Sequence, residues 1–414
     1  MSPSAAPTPA AKRAVIEAMS VTCAGCGAVA EPTVAFPARC RNATVGDDID
    51  HLMTRRLDPT RIDLVAGDDP NPFVRYRQTF HAWHVARASG WSDERYVGVV
   101  HRLDRAIAAV DGHGFQITPF ERADLLSDAI GCAPRGGVWI KDETRAVGGS
   151  HKARHLMGVM LELLVAEDLD ASLEHRPLAI ASCGNAALAA AIVAHAAGRR
   201  LDVYVPTDAD PVILRRLERL HARVERVERK PGEPGDPTVA RMHQAMAAGA
   251  WPLRRAYERI VADLARQSGP VVGPLDVGAP EVRAVLDHAA RHRSAYMWPW
   301  ESVPRSVAHG ILDDETYDWL AVTEAMLRTG GHPVVVEEGD LVAANDLARR
   351  TTGIDVDATG SAGLAGLLHL QYLGAIARDE RVAVLFTGAR RDPSTDATDP
   401  TGPAAAIPTD RSAR

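Results

Sequence analysis

The chain has 414 residues, 46% of them hydrophobic and 24% charged, with a formal net charge of −7. Such a composition is globular and long enough for more than one domain, and its acidic balance argues against nucleic acid and leaves no polybasic patch for a membrane surface. No apolar run approaches a membrane span, since Ala186 to Ala197 is about half of the ~20 residues required.

Residues 1–20 are Pro- and Ala-rich without an apolar signal core, and are expected to form a disordered tail. Five cysteines in no framework spacing imply a reducing, cytoplasmic compartment. Within 21–57, Cys23-Ala24-Gly25-Cys26-Gly27 is a C-x-x-C-G knuckle, and Cys40 follows at a spacing that suits the second half of a zinc ribbon. The second C-x-x-C is absent, because Cys40 runs into Arg41, Asn42 and Ala43. Cys23, Cys26 and Cys40 would hold zinc with His51 as fourth ligand; otherwise they form a hairpin that keeps its shape without metal. A redox role finds no thioredoxin-like pattern around the motif. From 58 to 117, residues such as Phe73, Tyr76, Phe80, Trp83 and His84 fall at helical spacing, which predicts amphipathic helices packed on the main body.

Thr118-Pro119-Phe120 leads into a helix predicted over Glu121 to Ile130. Val138-Trp139-Ile140 reads as a strand, passing through a turn with Gly148-Gly149-Ser150 into a helix that begins at Lys152. A cation at the positive end of a helix dipole costs up to about 1 kcal/mol, so Lys152 needs another reason to be there. A lysine can condense with an aldehyde, and the two glycines let the backbone approach a bulky group. Leu178 to Ala181 is a predicted buried strand, Ser182-Cys183-Gly184-Asn185 a tight polar turn, and Ala186 to Ala197 an alanine-rich helix. Strand, turn and helix start make an anion site, because first-turn amides have no partner inside the helix. A strand at Leu201 to Val205, a helix at Pro211 to Arg223 and a strand at Val224 to Val227 continue an alternation that builds a parallel sheet. Lys230 to Pro237 is a connector.

Lys141-Asp142-Glu143 followed by Gly149-Ser150-His151-Lys152-Ala153-Arg154 resembles the lysine signature of the fold type II pyridoxal-phosphate (PLP) enzymes, among them threonine synthase, the serine/threonine dehydratases and the tryptophan synthase β chain. The Ser182–Asn185 turn is similar to that family's substrate-carboxylate loop, and the resemblance runs from about Thr118 to Asp392. It implies an α/β fold of two parallel-sheet αβα domains of the tryptophan synthase β-like type, beside a small N-terminal zinc-ribbon-like knuckle. A large PLP-binding domain would comprise 118–154 and 238–392, a small domain 155–237, and a disordered tail 393–414. N-terminal zinc-ribbon-like modules also occur in some threonine synthase-like proteins. The implied roles are PLP on Lys152, which also serves as base at Cα, the substrate carboxylate on Ser182, Cys183, Gly184 and Asn185, and the cofactor's ring oxygen on Asn185.

The family cradles the PLP phosphate in a run of glycines that this chain lacks. Gly273 to Gly278 is the available substitute, with Pro274 removing one amide donor, and the large sheet reads as truncated around 250–280. Met297-Trp298-Pro299-Trp300-Glu301 reads as packed aromatics, and Ser306 to Leu312 resembles a segment of tryptophan synthase β-like enzymes. Pro333 to Val336 is a predicted strand, followed by a helix at Gly339 to Thr351, and Ala358 to Gly363 opens another helix. Val382 to Phe386 is a strand ending at Thr387, the position whose hydroxyl bonds the pyridine nitrogen in the family. A neutral hydroxyl there leaves the nitrogen unprotonated and favours β-elimination and replacement over transamination. The resemblance therefore implies a PLP-dependent lyase or synthase of small-molecule amino acids, working by α,β-elimination or β/γ-replacement, and commonly a homodimer. The missing glycine loop leaves a second reading, a catalytically impaired relative that binds an amino acid or a partner.

Overall fold

The computed structural model describes residues 18–31, 34, 37, 39–44, 46–173, 176–230, 235–252, 274–298, 304–312 and 319–391. Outside them lie 1–17 and 393–414 of the expected tails, Gly273, and residues 299–301 of the aromatic stretch.

The knuckle is a β-hairpin in which β1 (Met19–Cys23) pairs antiparallel with β2 (Met53–Leu57). After a single helical turn at Pro72–Arg75 come two longer helices, α1 (His81–Ala88) and α2 (Asp93–Asp111), the second capped by Ser92 and stopped by Gly112 at φ 87°. Phe73, Val85, Tyr96, Val100 and Leu103 turn inward and join the main apolar core, as the helical spacing predicted. The next strand, β3 (Phe120–Arg122), stands where a helix was predicted, and α3 (Asp124–Ala129) begins only after it. Phe120 to Arg122 pair antiparallel with β4 (Gly137–Asp142), so tertiary pairing overrides the local helical pattern.

From β4 the chain enters α4 (Lys152–Leu169), β5 (Leu178–Ala181), α5 (Asn185–Ala196), β6 (Leu201–Pro206), α6 (Pro211–Arg219), β7 (Arg223–Val227), α7 (Pro237–Ala247) and the short β8 (Trp251–Pro252). These strands form one parallel sheet in the order β7-β6-β5-β8. All four residues of β5 are buried, and α5 is apolar on nearly every face because it is enclosed by α2, α4 and the sheet. Each Leu, Ile or Val buried there contributes roughly 1.5–3 kcal/mol. Because β8 pairs with β5, this sheet reaches Pro252, past the boundary expected at 237. The correction has a plain cause: a two-residue strand holding a proline carries no periodicity to read.

The remaining helices are α8 (Pro280–Arg291), α9 (Trp319–Thr329), α10 (Glu338–Thr352) and α11 (Ala358–Tyr372), before the last strand β9 (Arg381–Phe386). β9 lies parallel to β4, giving a three-stranded mixed sheet in the order β3-β4-β9 whose second core holds Val138, Ile140, Leu364, Val384 and Phe386. Pro333 to Val336 has no strand partner among the described residues, with Val335 exposed, so the predicted strand there is not formed. β-branched residues make a strand only where a neighbour supplies the ladder. The chain is thus mixed α/β with a parallel sheet, and among the described residues no helix is long and apolar enough to cross a membrane.

Candidate active site

Four segments meet at the C-terminal ends of β4, β5 and β9. The turn after β4 takes positive φ at Gly148 (67°) and Gly149 (70°), a conformation that side chains bearing a Cβ resist. Asp111 on α2 accepts from Gly148 N at 2.9 Å and so holds the turn from below. The next residues lie along the end of β9: Ser150 bridges Gly388, and Ala389 N donates to Gly149 O at 2.8 Å. β9 in turn meets the start of α11, with Thr387 N donating to Gly360 O at 3.2 Å and Asp357 N to Gly388 O at 3.0 Å.

Lys152 opens α4 from this turn, and that helix has neither a side-chain cap nor an acid in its first turn. Its neighbour His151 bonds Thr387 O through both its backbone N and its ring Nδ1. Burial, and then the charge of Lys152, push the His151 imidazole below its ordinary value, and since Thr387 O can only accept, Nδ1 is the donor in that bond. The rest of the lysine motif is scaffold. Arg154 Nε donates to Glu143 Oε2 at 2.7 Å, Thr118 Oγ1 donates to Glu143 Oε1, and Lys141 Nζ donates to Thr118 O at 2.7 Å. Burial acts to raise the Glu143 carboxyl, but the Arg154 and Thr118 bonds outweigh it and hold the group below its ordinary value.

The Ser182–Asn185 turn faces the same place from β5. Gly184 N points at Ser182 Oγ at a long 3.5 Å, α5 begins at Asn185 without a side-chain cap, and a Cβ on Gly184 would meet nothing within 4 Å. Asn185 reaches across to β9, where a Cβ on Gly388 would lie 2.7 Å from its Nδ2. The residues singled out in the sequence are therefore brought together: Lys152 is one residue from the His151–Thr387 contact, and Asn185 packs on the residue after Thr387. Sequence reasoning missed Asp357 and Arg391. Arg391 donates to Asn185 Oδ1 and lies 3.2 Å from Gly148 O, while the Asp357 carboxylate stands with Asn185 Nδ2 around Gly388. Burial holds the Asp357 carboxyl above its ordinary value, against the Gly360 amide and the charges of Arg391 and His309. One signal for Lys152 was also passed over: Lys12, Lys141, Lys152 and Lys230 are the only lysines in a chain whose lysines and arginines total 47.

The site suits the reactive face of PLP. The backbone positions that carry an amine, an amide and a hydroxyl adjoin two closely approached glycines, and Ser150 Oγ is wholly buried with no partner among the described residues. The phosphate side is different. In the expected substitute loop, Gly278 N donates to the Asp276 carboxylate at 2.9 Å, and Leu275 and Val277 pack with α8 and α9. An acid that occupies the amide repels phosphate, so this loop is a poor cradle.

Residues 113–275 match the family described as "Pyridoxal-phosphate dependent enzyme". The matched domain holds both Lys152 and Asn185. That domain is similar to threonine synthase of Methanocaldococcus jannaschii, 30% identical over 100 residues, covering 24% of this chain and 24% of that protein. It is also similar to threonine synthase of Methanosarcina acetivorans, 29% identical over 132 residues, covering 32% of this chain and 29% of the relative. The matches thus span between about a quarter and a third of the relatives' length. Among solved structures, maize serine racemase superposes with a TM-score of 0.48 at 16% identity, covering 72% of this chain and 94% of that one. Threonine deaminase isoform 2 from Solanum lycopersicum gives 0.48 at 15%, covering 74% and 87%.

The knuckle gathers a second set of groups. Cys23 Sγ lies 3.3 Å from His51 Nδ1 and Cys26 Sγ 3.5 Å from Cys40 Sγ, and the four ligand atoms all fall within 4.8 Å of one another. His51 Nε2 is 3.2 Å from Asp47 Oδ2, near enough to pair electrostatically but out of hydrogen-bond alignment. A Cβ on Gly25 would sit 2.5 Å from Asp50 O, so the glycine of the C-x-x-C is required by close approach. Arg55 of β2 and His81 of α1 both bond the buried Glu162 on α4, which ties the knuckle to the helix that Lys152 opens.

Proposed function

We propose that this chain is a PLP-dependent lyase or synthase that acts on an amino acid carrying a β- or γ-leaving group, by α,β-elimination or β/γ-replacement. The observation that carries this reading is the junction of three segments: His151 bonds Thr387 O while Asn185 packs on Gly388, so Lys152, Asn185 and Thr387 share one site. Lys152 would hold the cofactor and then take the proton from Cα. The start of α5, which has no side-chain cap, would with Ser182, Cys183 and Gly184 receive the substrate carboxylate on its first-turn amides. Thr387 offers a neutral hydroxyl to the ring nitrogen, and Asn185 an amide to the ring oxygen. PLP, when bound, supplies the electron sink that makes loss of the Cα proton feasible.

In the knuckle, Cys23, Cys26, Cys40 and His51 would hold zinc. Metal bonds of 2.0–2.3 Å in a tetrahedron put neighbouring ligand atoms roughly 3.4–3.8 Å apart, close to the spacing found. A second reading, a relative that binds an amino acid without turning it over, is favoured by one observation, the absence of a glycine cradle among the described residues. Incubation with PLP and a panel of β- and γ-substituted amino acids distinguishes the two. Release of a 2-oxo acid or an exchanged product is expected; saturable amino-acid binding without turnover would favour the second reading.

A further inference from the structure

Asn185 is bracketed by two partners of opposite character. On one side Arg391 Nη2 donates to Asn185 Oδ1, and the same nitrogen lies 3.2 Å from Gly148 O. On the other, Asn185 Nδ2 and the Asp357 carboxylate flank Gly388, where an added Cβ would lie 2.7 Å from the amide nitrogen and 3.3 Å from Asp357 Oδ2. A guanidinium has donors only, whereas an ionised carboxylate only accepts. Both partners are satisfied by one orientation of the amide alone, with oxygen toward Arg391 and nitrogen toward Asp357 and Gly388.

We infer that Arg391 is a positioning residue, which fixes the Asn185 amide so that its nitrogen is the atom offered to a bound ring oxygen. This rests on the PLP reading proposed above. The chemistry requires that orientation. The ring oxygen of the cofactor is an acceptor carrying negative charge, so a donor stabilises it and a flipped carbonyl would repel it. Without Arg391 no described residue bonds Oδ1, and the amide can turn. Gly148 O receives the same guanidinium nitrogen, so Arg391 also ties the Asn185 turn to the turn that leads into Lys152.

The test is a PLP titration of wild type, Arg391→Ala, Arg391→Lys, Asn185→Ala and the Asn185→Ala/Arg391→Ala double variant, followed by a pH titration of the visible band of each loaded protein. Arg391→Ala should bind PLP about threefold to tenfold more weakly, as expected for loss of one hydrogen bond. It should move the midpoint of the band in the same direction as Asn185→Ala, and Arg391→Lys should restore both. In the Asn185→Ala background, loss of Arg391 should add little, because it acts through the missing amide. An Arg391→Ala effect of full size in that background, or none in the wild-type background, overturns the inference. If wild type binds no PLP, the proposed function fails instead, and the bracket is read in the ligand-free chain labelled with 15N-asparagine. There Arg391→Ala should shift the Asn185 side-chain amide pair and leave those of Asn42, Asn71 and Asn345 in place; an unmoved Asn185 pair contradicts the bracket itself.

Discussion

His151 bonds Thr387 twice, its backbone N and its ring Nδ1 each lying 3.1 Å from Thr387 O. The two residues are 236 positions apart, yet this pair of bonds sets the start of α4 against the end of β9. Because His151 immediately precedes Lys152, the contact fixes where the lysine leaves the backbone.

The glycines beside that contact should be intolerant of any side chain. A Cβ on Gly360 would lie 2.6 Å from Gly388 O, and one on Gly388 would lie 2.7 Å from Asn185 Nδ2. Overpacking of this kind costs about 1–3 kcal/mol. Gly360→Ala meets backbone and should lower the urea midpoint more than Gly388→Ala, which meets a side chain. Gly388→Ala should show its larger effect in PLP affinity, since it displaces Asn185.

Glu143 gives a pH dependence of known sign. Its folded-state value is depressed, so its contribution to stability is complete above the unfolded glutamate value, ~4.3, and disappears as pH falls through the folded value. Glu143→Gln should cost about 1–3 kcal/mol at pH 7, less than a fully buried pair because Arg154 keeps a quarter of its side chain exposed. The gap between wild type and variant should be narrower at pH 3 than at pH 7. Parallel unfolding curves with an unchanged gap at both pH values would remove the Glu143–Arg154 pair as the cause.

Metal analysis of the purified chain should find zinc at about one equivalent, lost in Cys26→Ser and His51→Ala. Asp47→Ala should weaken zinc binding by less than about tenfold, since the carboxylate lies 3.2 Å from the outer nitrogen of His51 and acts on it electrostatically, without a hydrogen bond. Chelation should lower the melting temperature of wild type and leave that of Cys26→Ser unchanged. A wild type that carries no metal, with a melting temperature indifferent to chelator, leaves the knuckle as a hairpin.

Much of this fold could be read from the sequence because its strands are buried on both faces. Leu178 to Ala181 and Leu201 to Val205 are unbroken apolar runs flanked by turn residues, and both form. What escaped depends on partners distant in the chain. Phe120 to Arg122 is a strand only because β4 lies beside it, and Pro333 to Val336 fails to be one because nothing described pairs with it. At the site, Lys152 and Asn185 stand in recognisable motifs. Asp357 and Arg391 are an ordinary helix cap and an ordinary arginine until the fold sets them on either side of Asn185.

The central claim is that Lys152 carries PLP. The most direct measurement is borohydride reduction of the PLP-loaded protein followed by peptide mass spectrometry, which four lysines make unambiguous. A phosphopyridoxyl group is expected on Lys152 and none on Lys12, Lys141 or Lys230, with no labelling of Lys152→Ala at the same PLP concentration. A protein left unlabelled at saturating PLP, or labelled equally on the other lysines, would contradict it.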